Sequence, residues 1–461
     1  MEIGYLIIVS YTPPFYKQIF HASRRLFAKH WLSWMPAIQI AVTGSQGKTN
    51  TARMIGETLK TIGKTVVTDI DLDTVYNVPI TALKIAPWTD FAVFELGIDH
   101  QKEMNLHLQI VKPKIAIVTG ISSVHTDKEH LGSLENLIFE KRKLLEALPK
   151  DGYAILNFDD EHVRQMSQYT KAHIFWYGSD LYKCQVSADP QSIKLSLSGT
   201  SFQLTIGKTH RFIHTSIRGE PELLNHIPIS TALLGKHHAY TVMATILTIQ
   251  ALEHVLKKNI SFNRVLKEIH DMKPLPGRMS VEKSEKGYIF LNDSLRANPA
   301  STASGILSLS ELEHIAGRKI AILAEMGELE NPEDEHRKIG QLVALEMKKK
   351  KSIDLLISIG PHQKLVIEEV EREFRALQSE NPPQAFWTEN VIEAARILKK
   401  FLNPGDVIYL KGSLLRHIER IPLILSGITV GCNVTLCPFY HNCNECIYRV
   451  SGYQHELKKE K

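Results

Sequence analysis

The chain has 461 residues, 43% of them hydrophobic, which is enough for ordinary packed cores and, at ~150 residues per domain, for about three domains. Lys and Arg total 55 against 50 Asp and Glu, a formal +5 spread along the chain rather than gathered in one basic block, so nothing in the charge points to nucleic acid. The apolar runs fall short of the ~18 residues of a spanning helix, and the opening MEIGYLIIVSY lacks the basic start and cleavage site of a secretion signal. A cytoplasmic protein with no transmembrane segment is the expectation.

In chain order, residues 16–34, YKQIFHASRRLFAKHWLSW, mix aromatic and basic positions; a helix packed on the next domain is the expected role, with weak contact to a membrane surface as the alternative. Ile38–Val42 then reads as a buried strand and Thr51–Leu59 as a helix, with Gly44-Ser45-Gln46-Gly47-Lys48-Thr49 at the turn between them. Glycines let backbone N–H groups point inward there, the helix start adds positive partial charge, Lys48 adds a full charge, and Thr49 suits a magnesium ion. The turn is a phosphate-binding loop. TVVTD, FAVFELG, KIAIVTGI, the helical LENLIFEKRKLLEAL and GYAILNFDD follow, an alternation that predicts a parallel sheet covered by helices on both faces. IKLSLSGTSFQLTIG changes to a period of two and predicts an antiparallel edge. Prolines and glycine in PLPGRMSVEKSEKGYIFLNDS mark a boundary, after which KIAILAEMGEL, LLISIG and GDVIYLKGS predict a smaller, Rossmann-like α/β domain. The expected division is a short helical segment at 1–37, a central P-loop domain at 38–274, the second domain at 275–425 and a Cys-rich tail at 426–461.

Glu95 closes the strand FAVFE, where a carboxylate at the sheet's C-terminal edge can bind Mg²⁺ beside Thr49. His125 follows a further strand at the equivalent edge, with His130 its rival. Lys141 stands amid Glu140, Arg142 and Lys143, so periodicity alone reads it as part of a solvated charged face. Cys432, Cys437, Cys443 and Cys446 crowd the tail. Their spacing, C-x4-C followed by a closing C-x2-C, suits zinc, an iron–sulfur cluster or free thiols, and His441 can replace one sulfur.

TGSQGKT, FELG, VHTDKEHLGSLENLIFEK, LLGKHHAYTVMA, LPGRM, NDSLRANPAS and AEMGELENPEDEHRKIG together resemble the Mur ligase family, in order from about Ile38 to Leu425. RANPAS, AEMGEL and GDVIYLKGS are most similar to the branch that adds D-alanyl-D-alanine to a UDP-N-acetylmuramoyl-tripeptide. The resemblance implies an ATP-driven ligation: a carboxylate attacks the γ-phosphate, an amine attacks the acyl phosphate, and phosphate leaves. It implies that Gly44, Ser45, Gln46, Gly47, Lys48 and Thr49 grip ATP, that Thr49, Glu95 and His125 hold magnesium, and that Lys141 is carbamylated to make a further metal-binding carboxylate. Lys48, Lys141 and His125 are its catalytic candidates. Asn157, Asp160, Arg278 and Asp293 match nucleotide-side positions, while Asn298, His336, Lys411 and Ser413 fall in segments the family places around its cleft. Two departures matter. Only 37 residues precede the first strand, so the family's N-terminal UDP-binding domain is not expected, and His238 and Thr241 of HHAYT stand where asparagines usually help place adenine beside the retained His237. Alternatives are a ligase for a non-UDP carboxylate, an amidating subunit fed by a glutaminase partner, and a nucleotide-binding scaffold without chemistry.

Overall fold

The computed structural model describes residues 15–69, 74–122, 131–207, 224–327, 329, 331–349, 352–376 and 383–452. They fall into two compact units, the first drawn from 1–190, 203–228 and 239–269 and the second from 191–202, 229–238 and 270–461.

In the first unit β1 (Ile38–Thr43), β2 (Thr65–Val67), β3 (Phe91–Glu95), β4 (Ile115–Val118), β5 (Tyr153–Asn157), β6 (His173–Gly178) and β7 (Val186–Ala188) run parallel in the order β2-β3-β1-β4-β5-β6-β7. β4 reads Ile-Ala-Ile-Val and is buried throughout, as a strand covered on both faces must be. The period-two stretch supplies β8 (Lys194–Ser196), which falls in the second unit, and β9 (Gly199–Ile206), antiparallel to β8 at its start and to β7 at its end; β10 (Leu224–Thr231) ends the strand order. The covering helices are α1 (Phe15–Ser33), α2 (Lys48–Lys60), α3 (Thr74–Lys84), α4 (Glu103–Ile110), α5 (Leu134–Glu146) and α6 (Glu161–Met166). α1 buries Ala28 and Leu32, one turn apart, and packs on α3 and α4 of this same unit. Ser133 caps α5 by accepting from Asn136 N at 3.2 Å, which fixes where that helix starts. α7 (His237–Leu256) and α8 (Phe262–Asp271) follow. Among the described residues α7 alone is long and apolar enough to cross a membrane, and 78% of its apolar window is buried in the fold, so its side chains serve core packing.

The second unit is a six-stranded sheet of β11 (Ser280–Lys283), β12 (Ile289–Asp293), β13 (Lys319–Ala324), β14 (Leu355–Ile359), β15 (Ala385–Thr388) and β16 (Val407–Lys411), ordered β11-β12-β16-β13-β14-β15 and parallel except for β11. Its helices are α9 (Pro299–Ser310), α10 (Pro332–Met347), α11 (Gln363–Ala376), α12 (Val391–Phe401) and α13 (Arg420–Leu425). Strand alternation splits its core in two: Ala321, Leu323, Val407 and Tyr409 face one layer, while Ile320, Ile322, Ile408 and Leu410 face the other. From Ser426 to Gly452 the chain forms turns without helix or strand. It is tied down by the fully buried Arg420, which donates to the carbonyls of Cys432 at 2.7 Å and Val434 at 2.8 Å.

Candidate active site

β1 ends at Thr43 and α2 begins at Lys48, so the glycine-rich turn lies at the C-terminal edge of the first sheet with a helix start above it. Two glycines make that turn. Gly44 has φ 144°, and a Cβ there would come within 2.0 Å of Thr119 Oγ1; Gly47, at φ 77°, takes the left-handed conformation that precedes α2. Ser45 anchors the loop to the chain after β4, its N–H donating to Gly120 O at 2.7 Å and its hydroxyl to Ser122 O at 3.0 Å. Thr49 Oγ1 donates to Glu95 Oε1 at 3.0 Å, so the hydroxyl and carboxylate expected to share magnesium already adjoin. An oxygen pair of this kind suits a hard cation.

Lys141 departs from the solvated-face expectation. It is fully buried, and its Nζ donates to Gly44 O at 2.9 Å, across from the loop that carries Lys48. Burial, reinforced by the charge of Lys48, pushes its amine well below the ordinary lysine range against the opposing pull of Asp99 and Glu95. The stretch that holds His125 and His130 lies outside the described residues.

Asn157 and Asp160 hold the wall of this site. Asn157 Nδ2 donates to Thr119 O at 3.0 Å; Asp160 accepts from Ile121 N at 2.7 Å and caps α6 through Val163 N at 3.0 Å. Both therefore brace the segment on which the phosphate loop rests. Sequence reasoning missed Thr119, whose hydroxyl donates to Gln46 O, and His107, buried beneath the edge with Nε2 against Gly97 O at 2.9 Å. The Thr-Gly pair directly after a buried strand was the available signal for Thr119. Burial lowers the His107 imidazole to about 4.

In the second unit Asp293 ends β12 and Lys411 ends β16, directly opposite in register, and Lys411 Nζ donates to Asp293 Oδ2 at 2.7 Å. Tyr409 OH donates to the same oxygen at 3.1 Å. His237 also belongs to this unit, and burial lowers its pKa. Arg278 follows Gly277, its N–H donating to Leu275 O at 3.1 Å. Asn298 caps α9 by accepting from Ser301 N at 2.8 Å, Ser413 N donates to Glu325 O at 3.1 Å, and His336 is fully buried with Nδ1 at 2.6 Å from Pro332 O. A further cluster went unread in the sequence: the buried Glu325 accepts from His362 N at 2.7 Å and pairs with His362 Nδ1 at 2.8 Å.

The tail differs from the four-sulfur expectation. All four of its cysteines are free, Cys432 and Cys443 buried and Cys437 and Cys446 half-buried. The group of ligand atoms that lies within 4.8 Å among the described residues is His417, Glu419 and Cys443, not the four sulfurs. In that group His417 Nδ1 meets Glu419 Oε1 at 2.6 Å and Nε2 meets Phe439 O at 2.8 Å, which occupies both ring nitrogens, and Cys443 N donates to the same carboxylate at 3.5 Å. His441 is exposed.

Against this geometry the family patterns match plainly: the Mur ligase middle domain over residues 42–249 and the Mur ligase, glutamate ligase domain over 277–414. The chain belongs to the Mur ligase family. It is 26% identical over 328 residues to the UDP-N-acetylmuramoyl-tripeptide–D-alanyl-D-alanine ligase of Escherichia coli, covering 71% of this chain and 65% of that one, and 26% identical over 398 residues to the Bacillus subtilis ligase of the same name, covering 86% and 77%. Among solved structures, MurF from Acinetobacter baumannii superposes with a TM-score of 0.72 at 20% identity over 88% of this chain and 80% of that one. MurF ligase from Thermotoga maritima in complex with ADP gives 0.70 at 17%, over 88% and 83%. These likenesses establish the Mur ligase fold.

Proposed function

We propose that this chain is an ATP-dependent amide-forming ligase of cell-wall precursor synthesis, joining D-alanyl-D-alanine to a UDP-N-acetylmuramoyl-tripeptide. The observation that carries the reading is one sheet edge on which Lys48, the Thr49–Glu95 pair and a buried, deprotonation-prone Lys141 surround the phosphate loop. The substrate carboxylate attacks the γ-phosphate of ATP, ADP departs, and the dipeptide amine displaces phosphate from the acyl phosphate. Lys48 and the loop amides stabilise the charge that builds on the transferred phosphoryl group. Thr49 and Glu95 would hold magnesium, which when bound neutralises phosphate charge. Lys141 supports a second role: a neutral amine is the form that takes up CO₂, and the resulting carbamate would add a carboxylate beside the loop. Arg278 and Asp293 are assigned to the nucleotide side on the family motif.

Mass spectrometry of reactions containing Mg-ATP, the UDP-tripeptide and D-alanyl-D-alanine, each omitted in turn, tests the reading. A product heavier by the dipeptide, formed in step with ADP, is expected. ATP bound but no product with this pair would move the assignment to another carboxylate or amine. For the tail we infer zinc on its thiols from the closing C-x2-C spacing alone; binding would have to draw the four sulfurs together, since Cys443 here adjoins His417 and Glu419 instead. Metal analysis of the purified chain decides it: stoichiometric zinc, lost in Cys443→Ser, is expected, and metal-free protein with titratable thiols overturns it.

A further inference from the structure

α1 carries two apolar faces, and packing uses one. Ala28 and Leu32 point into the unit beside α3 and α4, and Trp31 Nε1 donates to Ile85 O at 2.8 Å. On the opposite side Ile19, Phe20, Leu26, Phe27 and Trp34 are 51 to 79% exposed. At 3.6 residues per turn the four that belong to α1 fall in one outward arc about 120° wide, which also takes in Ser23 and His30, and Trp34 follows directly after the helix. Isolated exposed apolar residues need no explanation, but four large ones in one arc of one helix, with a fifth at its end, do.

The charges beside the arc have one sign. Residues 15–34 contain Lys17, Arg24, Arg25 and Lys29 and neither Asp nor Glu. On the wheel Arg24 flanks the Phe20 edge and Lys29 the Leu26 edge, with the Arg24 guanidinium 5.5 Å from the Phe20 ring. Aromatic rings outward and cations along both margins are how a helix lies in a lipid interface: rings enter the headgroup–acyl boundary while basic side chains reach anionic headgroups. The loop that anchors Trp31 carries another exposed tryptophan, Trp88, with Lys64 Nζ 5.9 Å from its ring. The one-signed basic margin selects an anionic occupant, and an anionic headgroup layer meets the rings and the cations together.

We propose that the outward face of α1 docks this protein on an anionic lipid surface as a peripheral helix lying in the plane of the interface. The test is co-sedimentation of the full chain with vesicles of phosphatidylcholine alone and of phosphatidylcholine mixed with phosphatidylglycerol. Binding is expected to the mixed vesicles only, weakened about tenfold by high salt and about tenfold or more in Phe20→Ser/Phe27→Ser/Trp34→Ser. Those side chains are exposed, so the variant keeps its fold, which unchanged circular dichroism and thermal midpoint verify. Tryptophan emission should shift to the blue on binding, and Trp34→Phe should diminish the shift. Absence from the anionic vesicles, or equal binding by the triple variant, overturns the proposal. A dimer seen by light scattering and abolished by the triple variant, without vesicle binding, would instead give the face to a second copy of the chain.

Discussion

Each α/β unit buries one lysine at the C-terminal edge of its sheet region, and the two are treated oppositely. Lys411 meets the carboxylate of Asp293 at 2.7 Å, whereas among the described residues Lys141 Nζ is hydrogen-bonded to the carbonyl of Gly44 at 2.9 Å and to no carboxylate. A buried ammonium without a counter-charge is costly, so Lys141 is driven toward its neutral amine, while the charge on Lys411 is matched. On the proposed function the difference separates a group prepared for chemistry from one that holds strands together. It also predicts that the two respond to substitution in different measurements, one in turnover and the other in stability.

The largest effect belongs to the loop itself. Lys48→Ala should lower ligation by about 10⁴-fold, since no other group on the loop supplies a full positive charge to the phosphates; ADP formation with all substrates present measures it. Retained turnover would remove the loop from the mechanism. Lys141→Met should lower turnover by about 10³-fold while leaving stability to urea unchanged or raised, because an apolar group of similar volume replaces an uncompensated amine. Labelling with ¹³C-bicarbonate should give a carbamate carbon resonance that this variant lacks. Wild-type turnover in Lys141→Met would break the contrast between the two lysines.

For the other lysine, Asp293→Asn should cost about 3 kcal/mol of stability, because it leaves the Lys411 ammonium buried with no counter-charge. Asp293→Asn/Lys411→Met should recover most of that loss. Urea denaturation of the single and double variants measures both, and equal stability of wild type and Asp293→Asn would show that the pair does not hold this edge. Because Asp293 is also assigned to the nucleotide side, the Asp293 variants are read in stability and not in turnover.

The phosphate loop and the parallel sheet were legible because their signals are local: glycines where the backbone must turn left, Lys48 and Thr49 at a helix start, and apolar runs in strands covered twice. Periodicity alone read Lys141 as solvated because its neighbours are charged, and only the family resemblance placed it at the site. Yet the buried positions of α5 are Leu137, Glu140, Lys141, Leu144 and Leu145, so Lys141 occupies the apolar stripe, and that spacing was the missed signal. Asn157 and Asp160 were placed near the nucleotide by their motif, but their bonds go to the Thr119–Ile121 backbone, a partner close in space and distant in sequence. The Asp293–Lys411 pair was invisible for the same reason: it depends on β12 and β16 being neighbours, which strand order alone decides.

A buried histidine near Lys141 gives the smallest and most specific effect. His107 is neutral in the fold, with Nε2–H donating to Gly97 O, and burial sets its pKa at about 4 against an ordinary 6.5. Between those values the unfolded chain binds a proton that the folded chain refuses, so acid favours unfolding there. The contribution is fully present above pH ~6.5, falls as pH drops, and is lost near pH 4, an interval worth on the order of 3 kcal/mol. His107→Gln keeps an N–H that can reach Gly97 O but has nothing to titrate. At pH 7 it should be less stable than wild type by about 1 kcal/mol through imperfect packing, and near pH 4.5 the order should reverse. Urea midpoints across that range supply the measurement. Parallel pH curves for the two proteins would mean that His107 takes up its proton as readily in the fold as in the unfolded chain, and that burial at this edge does not hold it neutral.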